Sequence, residues 1–139
     1  MQRTQEIWTH WQVSPKLSGK YSIDFIQDDD HQLALHLSLG KHKNPKVHVY
    51  FKNAIYAFRK TDEGFMYKTI IQLEQNYGAS FYTKNTFFKI ENSAYLQWLT
   101  EQSHGLAELL NFSHFCFLGE NSIVDVIASY EPEIALHEV

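Results

Sequence analysis

The sequence is poor in the residues that build common chemistries, and each scarcity excludes something. A single cysteine, Cys116, rules out an internal disulfide and any thiolate zinc cluster. It lies in the apolar run FCFL (115–118) and reads as a reduced, buried thiol. Six glycines leave little for a phosphate cradle once Gly40, Gly64, Gly78, Gly105 and Gly119 are placed in turns. Three prolines, Pro15, Pro45 and Pro132, sit in short polar contexts and mark no linker. Apolar runs are only a few residues long, so neither a membrane span nor a secretory leader is expected, and the chain reads as soluble and cytoplasmic. GxSxG, HExxH and paired CxxC are missing, and no enzyme activity, cofactor or metal is expected.

The most telling scarcity is of positive charge. No Lys or Arg follows Lys89, although Glu91, Glu101, Glu108, Glu120, Asp125, Glu131, Glu133 and Glu138 do. Residues 1–60 carry nine Lys or Arg against five Asp or Glu; residues 61–139 carry three against eleven. Such segregation speaks to partner choice more than to fold.

What is present is an aromatic-rich chain of 139 residues, enough for one domain with a real core. In 31–39, HQLALHLSL, Leu33, Leu35, Leu37 and Leu39 alternate with polar or small residues, the period of a half-buried strand. KYSIDFIQ (20–27) places Tyr21, Ile23 and Phe25 on one face and pairs with it across the acidic turn 28–30. KVHVYF (46–51) points Val47, Val49 and Phe51 inward, and IYAFRK (55–60) follows a bulge near Asn53. The turn TDEG (61–64) uses Gly64 for a positive φ. Residues 65–77 fit a helix through Met66, Ile70, Leu73 and Tyr77 and a strand through Phe65, Tyr67, Thr69, Ile71 and Leu73; the β-branched Thr-Ile-Ile favours strand. FYTKNTFFKI (81–90) reads as another strand.

The main helix is expected over about 93–104, capped by Asn92 or Ser93, striped by Tyr95, Trp98, Leu99 and Gln102 and ended by Gly105. After a short turn at 106–112, residues 113–119 and 123–129 form a C-terminal hairpin around GENS. The sum is an α+β domain spanning 1–139, a mostly antiparallel sheet of six to eight strands with one main helix.

Candidate sites follow from charge and histidine. Glu101, Glu108, Glu120, Asp125, Glu131 and Glu133 would form one uncompensated acidic region suited to a basic protein, with Trp98 and Tyr130 as desolvated anchors. An acidic surface that only aids solubility is the plainer alternative. His36 and His48 fall nearly opposite each other on adjacent strands, as two ligands, an acid/base pair or ordinary exposed histidines; Asp24 and His42 are the nearest further ligands, at no recognised spacing. His114 reads as a hydrogen-bonded core or rim residue, and His10, His31, His104 and His137 sit near turns or ends. The basic strands 41–60, with KHKNPK (41–46), Lys52, Arg59, Lys60, Tyr50 and Tyr56, form the one stretch where a single-stranded nucleic acid could stack, though an acidic C-terminal part weighs against it.

The segments FFKIENSAYLQWLTEQSHG (87–105) and SHFCFLGENSIVDVIASYEPEI (113–134), with AFRKTDEG (57–64), resemble small bacterial immunity proteins of contact-delivered toxin systems, including those that neutralise endoribonuclease-type toxins. The resemblance implies a non-enzymatic acidic inhibitor that occludes a basic toxin domain. It fixes no binding residue.

Overall fold

The computed structural model describes residues 5–29, 32–53 and 55–138; Asp30 and His31, part of the expected first hairpin turn and strand, lie outside them. Among the described residues, nine strands form two antiparallel sheets. One, here sheet A, runs in the order β1 (Ile7–His10), β6 (Phe87–Glu91), β7 (Ser113–Leu118), β8 (Ser122–Ala128), β5 (Ile55–Asp62). The other, sheet B, runs β2 (Tyr21–Asp28), β3 (Gln32–Leu39), β4 (Lys46–Lys52), β9 (Glu133–His137). Three helices, α1 (Tyr67–Tyr77), α2 (Ala79–Thr83) and α3 (Ala94–Gln102), complete an α+β architecture. The expected six to eight strands are nine, divided between two sheets, and α1 is longer than the helix expected to be the main one.

The layers follow from which side chains find a cover. Inner residues of sheet B (Leu33, Leu35, Leu37, Val47, Val49, Phe51) meet Phe87, Phe115, Phe117, Val124 and Val126 of sheet A in one core. The opposite face of sheet A, with Phe88, Ile90, Cys116, Leu118 and Ile123, is covered by Leu73, Ile70 and Met66 around α1 and by Tyr82 and Phe81 of α2. Sheet A is thus buried on both faces, which is why β7 and β8 read as nearly continuous apolar runs. Sheet B buries one face, and β4 keeps a clean alternation.

This layering overturns the strand expected over 65–77. A strand would have buried Phe65 and Tyr67, which are 86% and 71% exposed. The helix instead turns Met66, Ile70 and Leu73 onto the uncovered face of sheet A, and tertiary packing overrides the β-branched Thr-Ile-Ile. The TDEG hairpin disappears with it. Asp62 Oδ1 accepts the Gly64 N–H at 2.8 Å in a 3-10 turn, and Gly64 does not adopt the positive φ assigned to it. The expected strand 81–90 divides into the end of α2 and β6; at the break the Lys20 ammonium donates to the Tyr82 and Asn85 carbonyls at 2.7 and 3.1 Å. The C-terminal hairpin forms, with Gly119 N–H donating to the Ser122 carbonyl at 2.9 Å, and β9 follows as a further strand along β4.

Candidate functional site

The acidic residues do not assemble into the expected single region. The fold carries basic side chains from the first ninety residues to acids in the last fifty, across paired strands for Lys52 and Arg59 and from β6 to the β8–β9 connection for Lys89. Lys52 reaches Glu133 at 3.0 Å, Arg59 reaches Asp125 at 2.9 Å and Lys89 reaches Glu131 at 2.5 Å. Glu120 stands in the β7–β8 turn, where it accepts from the Ser22 hydroxyl at 3.2 Å. Glu131 follows the other end of β8, a strand of seven residues, so the length of that strand separates the two, about 20 Å. Glu101, Glu108 and Glu120 have no ion-pair partner among the described residues, and of these Glu101 and Glu108, on α3 and the 3-10 turn Leu106–Leu109, are close in the chain. Tyr130 is exposed, between β8 and β9.

Asp125 leaves the partner-binding set altogether, because it is 3% exposed. It sits in mid-strand on the helix-facing side of sheet A, opposite Arg59 on β5 and Cys116 on β7. A buried carboxylate needs partners. Asp125 accepts from His114 Nε2 at 2.7 Å and from Arg59 Nε at 2.9 Å, and the Cys116 thiol also bonds to it. Burial alone would push its carboxyl up; the hydrogen bond and charge of His114 and the Arg59 guanidinium together hold it below the ordinary value. Burial and the Asp125 charge raise the Cys116 thiol well above the usual range, which leaves it an inert core group.

From His114 the network continues to Ser93, whose Oγ is hydrogen-bonded to Nδ1 at 2.6 Å. Ser93 also caps α3, accepting the Leu96 N–H at 3.0 Å. Serine, histidine and aspartate linked in this way are the residue types of a nucleophilic triad, but Ser93 is buried and its oxygen is committed to the helix cap, so no substrate carbonyl can reach it. The network's product is position: it pins the start of α3 to sheet A. Tyr95, the buried contact of α3, packs on His114 with ring centroids 5.7 Å apart and lies under the Arg59 guanidinium at 4.1 Å.

With its inner side fixed, α3 turns its other residues outward. Trp98 stacks on Tyr95 at 5.7 Å and stays half-exposed. Gly105, at φ 86°, ends the helix and its N–H donates to the Thr100 carbonyl at 2.9 Å. The chain then enters a 3-10 turn in which only Ala107 is buried, leaving Leu106 57% and Leu109 81% exposed, with Leu110 beside them. Phe112 leaves this segment and packs against Tyr56 of β5 at 4.4 Å. The result is an apolar edge of Trp98, Leu106, Leu109 and Leu110 bearing Glu101 and Glu108, and exposed patches of this kind mark interaction surfaces. Trp98, Glu101 and Glu108 were sequence candidates, whereas the leucines were not. Their signal was present, since three leucines and one alanine in LAELL cannot all be buried by a single tight turn.

His36 and His48 do stand opposite each other, on the outer face of sheet B. Their Nδ1 atoms are 2.5 Å apart, and His36 Nε2 donates to Gln27 Oε1 at 2.7 Å. Burial lowers the pKa of both, and the neighbouring His36, His137 and Lys46 lower that of His48 further. Among the described residues, no group of three His, Cys, Asp or Glu side chains could hold a metal ion. Asp24 pairs with Lys43 at 3.2 Å instead. No described helix is long and apolar enough to cross a membrane. No protein-family model, curated protein or solved structure matches this chain.

Proposed function

We propose that this protein is a non-enzymatic, cytoplasmic immunity protein that neutralises a basic, nuclease-type toxin domain by covering it, and that α3 with the segment 106–110 is the covering edge. The observation that carries this reading is the exposure of Leu106, Leu109 and Trp98 beside two acids, Glu101 and Glu108, that no described cation neutralises.

Large apolar side chains left in water gain about 1.5–3 kcal/mol each when an interface desolvates them, which makes such residues its anchors. Acids on the rim raise the encounter rate with a basic surface, while the anchors set the rate of release. Both roles are divided among residues of one short stretch, held rigidly from beneath by Ser93, Tyr95 and Ala107. The charge asymmetry of the sequence bears on the partner through Glu101 and Glu108, since Asp125, Glu131 and Glu133 have cations of their own and Glu120 stands apart in the β7–β8 turn, bonded to Ser22.

The test compares immobilised wild-type protein with the Leu106→Asp/Leu109→Asp double variant as bait in host lysate, followed by association kinetics on the basic protein that only the wild type retains. Reversal of Glu101 and Glu108 to Lys then slows association, and the leucine changes speed release. Equal retention by both baits sinks the proposed edge.

A further inference from the structure

The outer face of sheet B has a composition that neither the core nor the α3 edge explains. An antiparallel sheet with one open side ordinarily shows polar residues there. All three helices lie beyond sheet A, and the register sets out rows of side chains across the open face. One row is Phe25, His36, His48 and Ala135; the next is Gln27, Ala34, Tyr50 and Glu133; on the other side stand Ser22, Ser38, Lys46 and His137.

Phe25 is on this face because of a defect in β2. Tyr21 and Ile23 are buried, and simple alternation would bury Phe25 as well. The register shifts between Ile23 and Phe25, making Asp24 a bulge; Ile26 takes the inward position and Phe25 emerges 52% exposed. Bulges of this sort re-aim a side chain, and the one here places a phenyl ring in the solvent. It stacks on His36 with centroids 4.0 Å apart and planes 14° apart and keeps about half its surface in solvent. His48 stacks loosely with Tyr50, at 6.2 Å, and touches His137 at 4.9 Å. At one end of these rings the β3–β4 loop presents Lys41, His42 and Lys43, all exposed, next to Lys46.

We infer that the open face of sheet B binds a single-stranded nucleic acid, with bases stacking on Phe25 and Tyr50 and phosphates held by Lys41 and Lys46. Stacking rings bordered by cations are what such strands require, and no base-specific donor set is needed. The site lies on the opposite side of the protein from α3 and stands independently of the toxin-binding reading.

His36 and His48, which meet on this face, give the site a dependence on pH. His36 Nε2 carries a proton toward Gln27 and one proton lies between the two Nδ1 atoms, so the next proton goes to His48 Nε2 and charges the pair with the Nδ1–Nδ1 contact in place. The groups facing it are Asp24 and Lys43 from β2 and the loop, Lys46 and Lys52 from β4, and Glu133 and His137 from β9. Asp24 and Glu133 are already engaged by lysines, so acidification adds net positive charge where phosphates would lie. Binding tightens as pH falls through the histidine range.

The experiment is fluorescence anisotropy with labelled oligouridylate and oligothymidylate of about twelve nucleotides, a length that spans such a face. Saturable binding is expected to one or both, which distinguishes RNA from DNA. It should weaken about tenfold in Phe25→Ala and again in Tyr50→Ala, each with unchanged circular dichroism. Salt should weaken it with a log–log slope of about −0.7 per phosphate held. Tyr50 lies outside the bulge, so its variant keeps the test valid if Phe25→Ala disturbs β2. No binding at about 100 µM protein, or binding that survives both aromatic substitutions and fails only in Lys46→Glu, would overturn the inference.

Discussion

Replacing Asp125 by alanine separates a structural acid from a surface one. The Asp125 carboxylate is 4% exposed and His114 1%, while Arg59 is about half in solvent. Removing the carboxylate deletes a charge-assisted hydrogen bond worth about 1.5–3 kcal/mol and leaves His114 Nε2 unpartnered in the core. The half-exposed Arg59 pair adds at most about 1 kcal/mol, because water screens it and hydrates the freed guanidinium. The total, about 1.5–4 kcal/mol, reaches into the range for breaking a buried pair from one side. For a domain of this size it lowers the melting temperature by about 10 °C. Urea unfolding followed by tryptophan fluorescence reads the change, with Glu120→Ala as a control that removes an exposed acid of the same sign. That control should shift stability by less than about 0.5 kcal/mol. If Asp125→Ala loses less than about 1 kcal/mol, the buried network does not pin α3 as described.

The lowered pKa values of His36 and His48 carry a signed expectation for stability. The unfolded chain takes up protons near 6.5 before the folded one does, so this contribution is complete above about pH 6.5 and is lost as pH falls through the folded values. A His36→Gln/His48→Gln double variant should flatten the decline in urea midpoint between about pH 7 and pH 5; an unchanged slope contradicts it. Lys20 is expected to titrate at about 8, well below 10.5, because burial beneath the Tyr82 and Asn85 carbonyls disfavours its charge. An NMR titration of its side-chain carbon with a midpoint near 10.5 would show that the ammonium is hydrated.

How much of this was legible in the sequence depended on whether the deciding contact was local. The alternation of β3 and β4 could be read because sheet B has one wet face, and the same alternation brought His36 and His48 opposite each other. β9 carried a like signal in Ile134 and Leu136 that went unassigned, as did the short β1. Residues 65–77 satisfied two periods at once, and the choice between them was made by a sheet face assembled from strands twenty to fifty residues later. Nothing local announces the bulge at Asp24, which is why Phe25 was read as core. The acidic C-terminal stretch misled for a related reason. Charge counted along the chain ignores tertiary contacts, and the fold returned Lys52, Arg59 and Lys89 to Glu133, Asp125 and Glu131. Trp98, Glu101 and Glu108 alone of the expected residues lie together on α3 and the turn after it, where neighbours in sequence are also neighbours in space.

The most direct test of the central claim is a titration of nuclease activity: the basic protein captured by the wild-type chain is assayed on an RNA or DNA substrate against rising amounts of this protein. The account predicts that activity falls to zero at one equivalent, and that Leu106→Asp/Leu109→Asp protein, folded by circular dichroism, leaves activity intact at the same ratio. Undiminished activity with the wild type, or equal inhibition by the double variant, would contradict it.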